Sequence, residues 1–283
     1  VDILVSVIFS GMSGSAIANA AGPGIVNIRM MQKNGYSAEF AGALTAASST
    51  IGPIIPPSIP LVIYALVSGA SVGALFLAGV VPGLLMALSL MIAVHLVAKK
   101  RHLPREKALP LSAYPRVLAR GFLPMTLPVV LLGGIYTGVF TPTEAAAVAA
   151  LYALFLSSIV YRALSWKRLY DILVESAKTS AAVTLIIASA FIINYAFTAE
   201  QVPALVASWL TAMSLSKVGF LLLVNVLFLV LGCFLDTSIM LLVVIPILIP
   251  TAKLLGIDLV HLGVVLAVNM MIGLITPPFG MLL

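Results

Sequence analysis

Two sets of oxygen donors recur at one spacing in an otherwise apolar chain. The first set holds Ser10, Gly11, Ser13 and Ser15 in one Gly/Ser run, and Ser48, Ser49, Thr50, Gly52 and Ile55 just before Pro56-Pro57. The second holds Gly232, Asp236 and Thr237 in the run Gly232-Cys233-Phe234-Leu235-Asp236-Thr237, and Asn269, Gly273 and Thr276 just before Pro277-Pro278. Hydroxyl and carbonyl oxygens suit a hard cation that has shed most of its water. Where a helix stops, its last carbonyls lose their intrahelical partners and carry the partial negative charge of the helix end. Proline keeps the ladder from re-forming, and glycine lets backbone approach backbone or an ion. Helices that start at Ser15 and at Thr237 present the opposite sign, which favours an anion between them.

The elements that carry these donors are duplicated. Gly52 and Gly273 are 221 residues apart, and the same offset superposes Ile54 on Ile275 and the two Pro pairs on each other. It also matches Gly11 with Gly232, Gly35 with Gly256, and Gly42 with Gly263. Each copy is an apolar helix that runs into Gly and then Pro-Pro. At membrane depth, such irregular backbone is tolerated only where it is buried in protein or lines a wet cavity. Interrupted segments in corresponding positions of two halves point to a transporter's binding site.

Composition places the chain in a membrane. Hydrophobic residues make up 62% and charged residues 8% of 283 residues, with a mean hydropathy of +1.20, against about 25% charged in soluble domains. Ser71 to Ala98 is long enough for a tilted span of roughly 30 Å of hydrocarbon. The net charge of +6 comes largely from one loop, which argues against nucleic acid as a partner. Cys233 is the single cysteine, so no internal disulfide is possible. The chain begins inside an apolar helix and ends just past the second Pro pair, and is read as a fragment cut at both ends.

Charge then orients the elements. Lys99, Lys100, Arg101, Arg105, Lys107, Arg116 and Arg120, against Glu106 alone, mark a cytoplasmic loop, and Arg162, Lys167 and Arg168 form a second basic cluster. Between them, Phe122–Phe140 and Thr143–Tyr161 read as a hairpin of spans turning at Thr141-Pro142. Upstream, a re-entrant hairpin from Asp2 to Met31, with its tip at Ser10–Ser15, and a broken helix from Tyr36 to Val67 open inward. Downstream, Trp166–Ser176 reads as an interfacial arm, Ala181–Thr198 as a crossing, and Val202–Met213 as a second arm anchored by Trp209. A second re-entrant hairpin, Lys217 to about Lys253, and the broken helix from Asp258 open outward. The expected fold is therefore all-α and polytopic, an inverted-topology repeat with two re-entrant hairpins and two broken helices. Residues 1–67 carry the first transport elements, 68–178 the scaffold helices, basic loop and arm, and 179–283 the second transport elements.

Blander roles compete at each position. Small residues in membrane helices commonly serve close packing, and Gly11 to Ser15 has that spacing. An acid at a tip inside the membrane is costly and therefore a functional candidate, yet Asp236 also suits a cap on the returning helix. Glu144 after Thr141-Pro142-Thr143 fits a helix start capped by Thr141 or Thr143. His95 and His102 flank the inner interface, and His261 lies near an outer helix end. The Gly/Ser run lacks the strand before it and the Lys-Ser/Thr after it that a phosphate loop needs. No metal-ligand spacing of His, Cys, Asp or Glu and no nucleophile constellation is present, so an enzyme is not expected.

The segments SGMSGSAIANAAG, KNGYSAEFAGALTAASSTIGPIIPPSIPLVIY, LFLAGVVPGLL, GVFTPTEAAAVAALYAL and LGCFLDTSIMLLVVIPILIP resemble the large membrane subunit of tripartite ATP-independent periplasmic (TRAP) transporters, in the branch for dicarboxylate and sialic acid uptake. The resemblance implies an elevator-type secondary transporter of the ion-transporter superfamily in a bacterial inner membrane. It implies sodium as coupling ion, substrate delivery by a periplasmic binding protein, and a small four-helix membrane subunit. One sodium site is implied at Ser10, Gly11, Gly52 and Ile55, and another at Gly232, Gly273 and Thr276. A small carboxylate anion is expected between the tips, near Ser13, Ser15, Ser48, Ser49, Asp236, Thr237 and Asn269. Full members begin earlier, so the first scaffold helices are expected to be missing. One departure from the family pattern is Asn19, where many relatives carry Asp. Competing readings are a channel or proton-driven carrier working through Asp236, and a membrane scaffold without transport of its own.

Overall fold

Two units with the same order of elements organise the chain. The computed structural model describes residues 1–101, 103–104, 114–213, 215–278 and 280–282. His102 and much of the expected basic loop, with Arg105, Glu106 and Lys107, lie outside the described residues, as do the side chains of Arg116 and Arg120. All regular structure among the described residues is helical.

In the first unit, α1 (Asp2–Ser13) stops at Gly14, whose φ of +58° is a left-handed conformation that glycine adopts without penalty. The returning arm starts at Ser15, which caps α2 (Ala16–Asn19), passes through a π-turn at Ala20–Gly24 and continues as α3 (Ile25–Lys33). Next, α4 (Ala38–Ser49) gives way at Thr50, and the chain resumes as α5 (Ile59–Ser68) after a cis Pro56-Pro57 bond. The second unit repeats this order. It runs through α11 (Lys217–Gly232), a turn, α12 (Thr237–Ile239), a π-turn at Met240–Val244, α13 (Ile245–Leu254) and α14 (Leu259–Gly273), and ends in a cis Pro277-Pro278 bond.

Between the units lie α6 (Val72–Lys100), α7 (Tyr114–Tyr136), α8 (Pro142–Phe155, then a π-turn at Leu156–Val160), α9 (Trp166–Ala199) and α10 (Val202–Ala212). Helices α7 and α8 pack side by side as the expected hairpin. Thr141 caps α8 in a capping box closed by Glu144, the structural role expected for that acid. The arm expected at Trp166–Ser176 and the crossing expected at Ala181–Thr198 are instead one uninterrupted helix, α9. No Pro or Gly falls between Trp166 and Ala199, so nothing in that stretch breaks the backbone ladder.

Four helices are long and apolar enough to cross a membrane among the described residues: Val72–Lys100, Pro142–Val160, Trp166–Ala199 and Thr237–Leu254. The most enclosed part of the molecule lies where α14 packs against α11, α6 and α5. There Tyr64 is fully buried and its hydroxyl donates to the Leu259 carbonyl at 2.7 Å, tying the first broken helix to the start of the second. Phe220, Val224 and Phe228 of α11 and Leu262 and Leu266 of α14 complete this core.

Candidate functional site: the cleft between two helix tips

The two returning arms start face to face. A cleft of about 130 Å3 is lined by Gly14 and Ser15 of the first tip, Asp236 and Thr237 of the second, and Pro53 and Leu274 of the two breaks. The capping residues at its two sides are equivalent, because the 221-residue offset carries Ser15 onto Asp236. Ser15 Oγ accepts from Ala18 N at 3.3 Å, and Asp236 Oδ1 accepts from Ser238 N at 2.7 Å. Asp236 is thus the helix cap that its sequence context allowed, and the residue also lines the cleft. Thr237 Oγ1 is buried with no hydrogen-bond partner. Ser13 supports the first tip from behind, where its Oγ meets Ser15 N at 3.5 Å.

The breaks meet their tips in two different ways. In the first unit a Cβ built on Gly52 would lie 3.2 Å from the Ser49 carbonyl oxygen, 3.4 Å from that of Ser15 and 3.6 Å from Asn19 Nδ2. That position is walled by oxygens and an amide. In the second unit the glycines themselves touch: a Cβ on Gly273 would lie 2.8 Å from Gly232 Cα. Thr276 Oγ1 donates back to the Ile272 carbonyl at 2.7 Å.

The side chains around other residues expected near ligands make contacts of their own. Ser10 is fully buried and donates to Ser6 O at 2.5 Å, while Gly11 faces Pro128 of α7, whose Cγ is 2.9 Å from the position of a Gly11 Cβ. Ile55 packs with Ile51 and Ala87 against α6. Ser49 Oγ donates to Thr45 O at 2.7 Å.

Ser48 and Asn269, equivalent under the offset, lock each unit internally. Ser48 Oγ donates to Asp2 Oδ2 at 2.8 Å, Ser6 Oγ donates to Ser48 Oγ at 3.0 Å, and Asn27 Nδ2 donates to Asp2 Oδ1 at 2.7 Å. The network joins α1, α3 and α4, with Asp2 only 6% exposed. In the second unit Asn269 Nδ2 donates to Asn225 Oδ1, joining α14 to α11. Sequence reasoning passed over Asp2, Asn27 and Asn225. For Asp2 and Asn225 the signal was present, since each is a polar residue within an apolar helix and needs a hydrogen-bond partner when buried.

The implied coupling ion can be tested against these donors. At the first break, carbonyls of Ser15 and Ser49 and an unpartnered Asn19 side chain surround the space left by the missing Gly52 side chain. A close set of oxygens of this kind suits a small monovalent cation. Among the described residues no group of three or more His, Cys, Asp or Glu side chains is gathered.

Comparison with known proteins agrees with this architecture. The family model described as the tripartite ATP-independent periplasmic transporter, DctM component, matches residues 1–283, the whole chain. The chain belongs to the DctM family. It is 45% identical over its full length to the sialic acid TRAP transporter large permease protein SiaM of Vibrio cholerae, of which it covers 66%. It is 42% identical to the C4-dicarboxylate TRAP transporter large permease protein DctM of Pseudomonas aeruginosa, with 99% of the chain and 65% of that protein aligned. It is 36% identical to the 2,3-diketo-L-gulonate TRAP transporter large permease protein YiaN of Escherichia coli, over 99% of the chain and 66% of that protein. The chain thus spans just under two-thirds of the length of these relatives. Family membership and apolar helices together make this DctM-family chain a multi-pass membrane protein.

Proposed function

We propose that this DctM-family chain carries the transport elements of a sodium-coupled importer of small organic anions in a bacterial inner membrane. The observation that carries the reading is the cleft in which the N-terminal ends of both returning arms, at Ser15 and Asp236, converge. Backbone N–H groups and helix dipoles at such ends favour a carboxylate. The named substrates of the relatives, sialic acid, a C4-dicarboxylate and a diketogulonate, are organic anions of the kind this electrostatics selects. A periplasmic binding protein and a small four-helix membrane subunit are the proposed partners.

In this reading the two units form inverted repeats whose hairpins are re-entrant, and both move together as an elevator past a scaffold built from α6 to α9. A bound sodium ion supplies positive charge at each break, and inward movement of one such charge releases about 2.3 kcal/mol per 100 mV. Ser15 and Asp236 hold the two arm termini in place. The carbonyls of Ser15 and Ser49 beside Gly52 supply cation ligands at the first break, and the Gly232–Gly273 contact with Thr276 frames the second.

Uptake into proteoliposomes that hold the full-length permease with its partners tests the reading. Anion uptake is expected only with an inward sodium gradient. Uptake that persists unchanged when choline replaces sodium removes the coupling. A second reading, a proton-driven carrier, has one observation in its favour: Asp236, an acid, lines the cleft. Uptake driven by a pH gradient without sodium would establish it.

A further inference from the structure

The least satisfied polar side chain among the described residues sits where the first tip meets the first break. Asn19 is 1% exposed, and neither its Oδ1 nor its Nδ2 has a hydrogen-bond partner. A buried amide left without partners is costly, and native structures rarely tolerate one unless something else occupies it. Thr45, 3% exposed, has an equally unpartnered Oγ1. It lies four residues before Ser49, on the same face of α4. Gly24 brings the two elements together, since a Cβ there would stand 2.7 Å from Thr45 Cγ2 and 3.0 Å from the Asn19 carbonyl oxygen.

The surroundings of Asn19 are acceptors rather than donors. The position of the missing Gly52 side chain is bounded by Ser49 O, Ser15 O and the Asn19 amide. Each carbonyl already accepts one backbone hydrogen bond, Ser49 O from Gly52 N and Ser15 O from Asn19 N. Each keeps a second lone pair. The orientation of an Asn amide is an assignment that its partners decide, and with a cation in place its oxygen turns inward. We propose that the Asn19 carboxamide oxygen is a side-chain ligand of a monovalent cation held with the Ser15 and Ser49 carbonyls at the first break. This rests on the sodium-coupling reading and adds Asn19 to the expected ligand set.

The second unit holds no counterpart. The 221-residue offset places Met240 opposite Asn19 and Leu266 opposite Thr45, both apolar and buried. The two cation positions are therefore chemically distinct, and a change at residue 19 reaches only the first.

Thermal unfolding of the full-length permease, followed at constant ionic strength with sodium chloride traded for choline chloride, separates the possibilities. Wild-type protein is expected to gain stability with the logarithm of sodium concentration once that concentration exceeds the dissociation constant. Asn19→Ala is expected to remove about half of that gain, the share of the first position. Asn19→Asp, nearly isosteric, is expected to lower the sodium concentration at which the gain sets in several-fold, because a carboxylate adds Coulomb attraction. An unchanged curve in Asn19→Ala overturns the assignment while leaving sodium coupling intact. If Asn19→Ala does not fold, an unchanged onset concentration in Asn19→Asp overturns it instead. A wild-type protein that does not distinguish sodium from choline removes the coupling reading itself.

Discussion

Gly232 and Gly273 meet backbone to backbone, with Gly232 Cα 2.8 Å from the point where a Gly273 side chain would begin. This contact lets the end of α11 lie directly on the end of α14, so the second hairpin and the second break form one body. The equivalent first-unit glycines are not paired in this way. Gly11 faces Pro128, and Gly52 faces carbonyls and an amide.

Gly273→Ala therefore forces two backbones apart and is expected to cost about 1–3 kcal/mol, the usual penalty of overpacking. Gly52→Ala meets its nearest neighbour, Ser49 O, at 3.2 Å, and is expected to cost less than Gly273→Ala while weakening sodium dependence. Thermal unfolding and sodium titration of the two variants check the pair. Equal destabilisation in both would contradict the asymmetry of the two contacts.

The Asp2 network makes a second prediction. Asp2 is buried with two donors, Asn27 and Ser48, and no described cation pairs with it. Removing either donor leaves a buried carboxylate short of a hydrogen bond, which costs about 1–3 kcal/mol. Ser48→Ala and Asn27→Ala are each expected to lower the unfolding midpoint. Asp2→Asn is expected to cost less, because it removes the buried charge and keeps an acceptor for Asn27. Denaturation of the three variants in detergent gives the order directly.

Much of this architecture could be read from residue types. The Gly-to-Pro-Pro phrase announced both breaks, Gly14 and Asp236 lay within the expected tips, and Thr141 with Glu144 marked the start of α8. What could not be read was direction. Serines 10, 13, 15, 48 and 49 look alike in sequence, yet only Ser15 reaches the cleft, while Ser10 and Ser49 bond back along their own helices. Helix rotation decides this, and in helices that are apolar all round no amphipathic stripe reveals rotation. In α9 contrast misled instead, because a polar stretch and an apolar stretch that read as two elements share one continuous helix.

The Asn225–Asn269 pair isolates the lock of the second unit. Asn269 is 4% exposed and its Nδ2 also donates to Val265 O at 3.1 Å. A double-mutant cycle with leucine at both positions is expected to give a coupling energy within about 0.5–3 kcal/mol. Each single change strands a polar group, whereas the double change replaces a polar pair by apolar contact and is expected to recover much of the loss. Additive single effects would show that the two side chains do not act as a unit.

Asp236 joins two roles that one pair of substitutions separates. As a cap its carboxylate accepts from Ser238 N, and loss of such a cap costs about 0.5–2 kcal/mol. As a lining group of the cleft it places negative charge where the proposed anion binds, which opposes binding unless the anion offers a donor. Asn caps a helix about as well as Asp, so Asp236→Asn is expected to keep stability and sodium dependence while lowering the KM for a fully ionised anion. Asp236→Ala is expected to lose stability together with uptake. Transport abolished in Asp236→Asn despite unchanged folding would instead assign the proton-carrying role to this carboxylate, because Asn keeps the cap but cannot take up or release a proton.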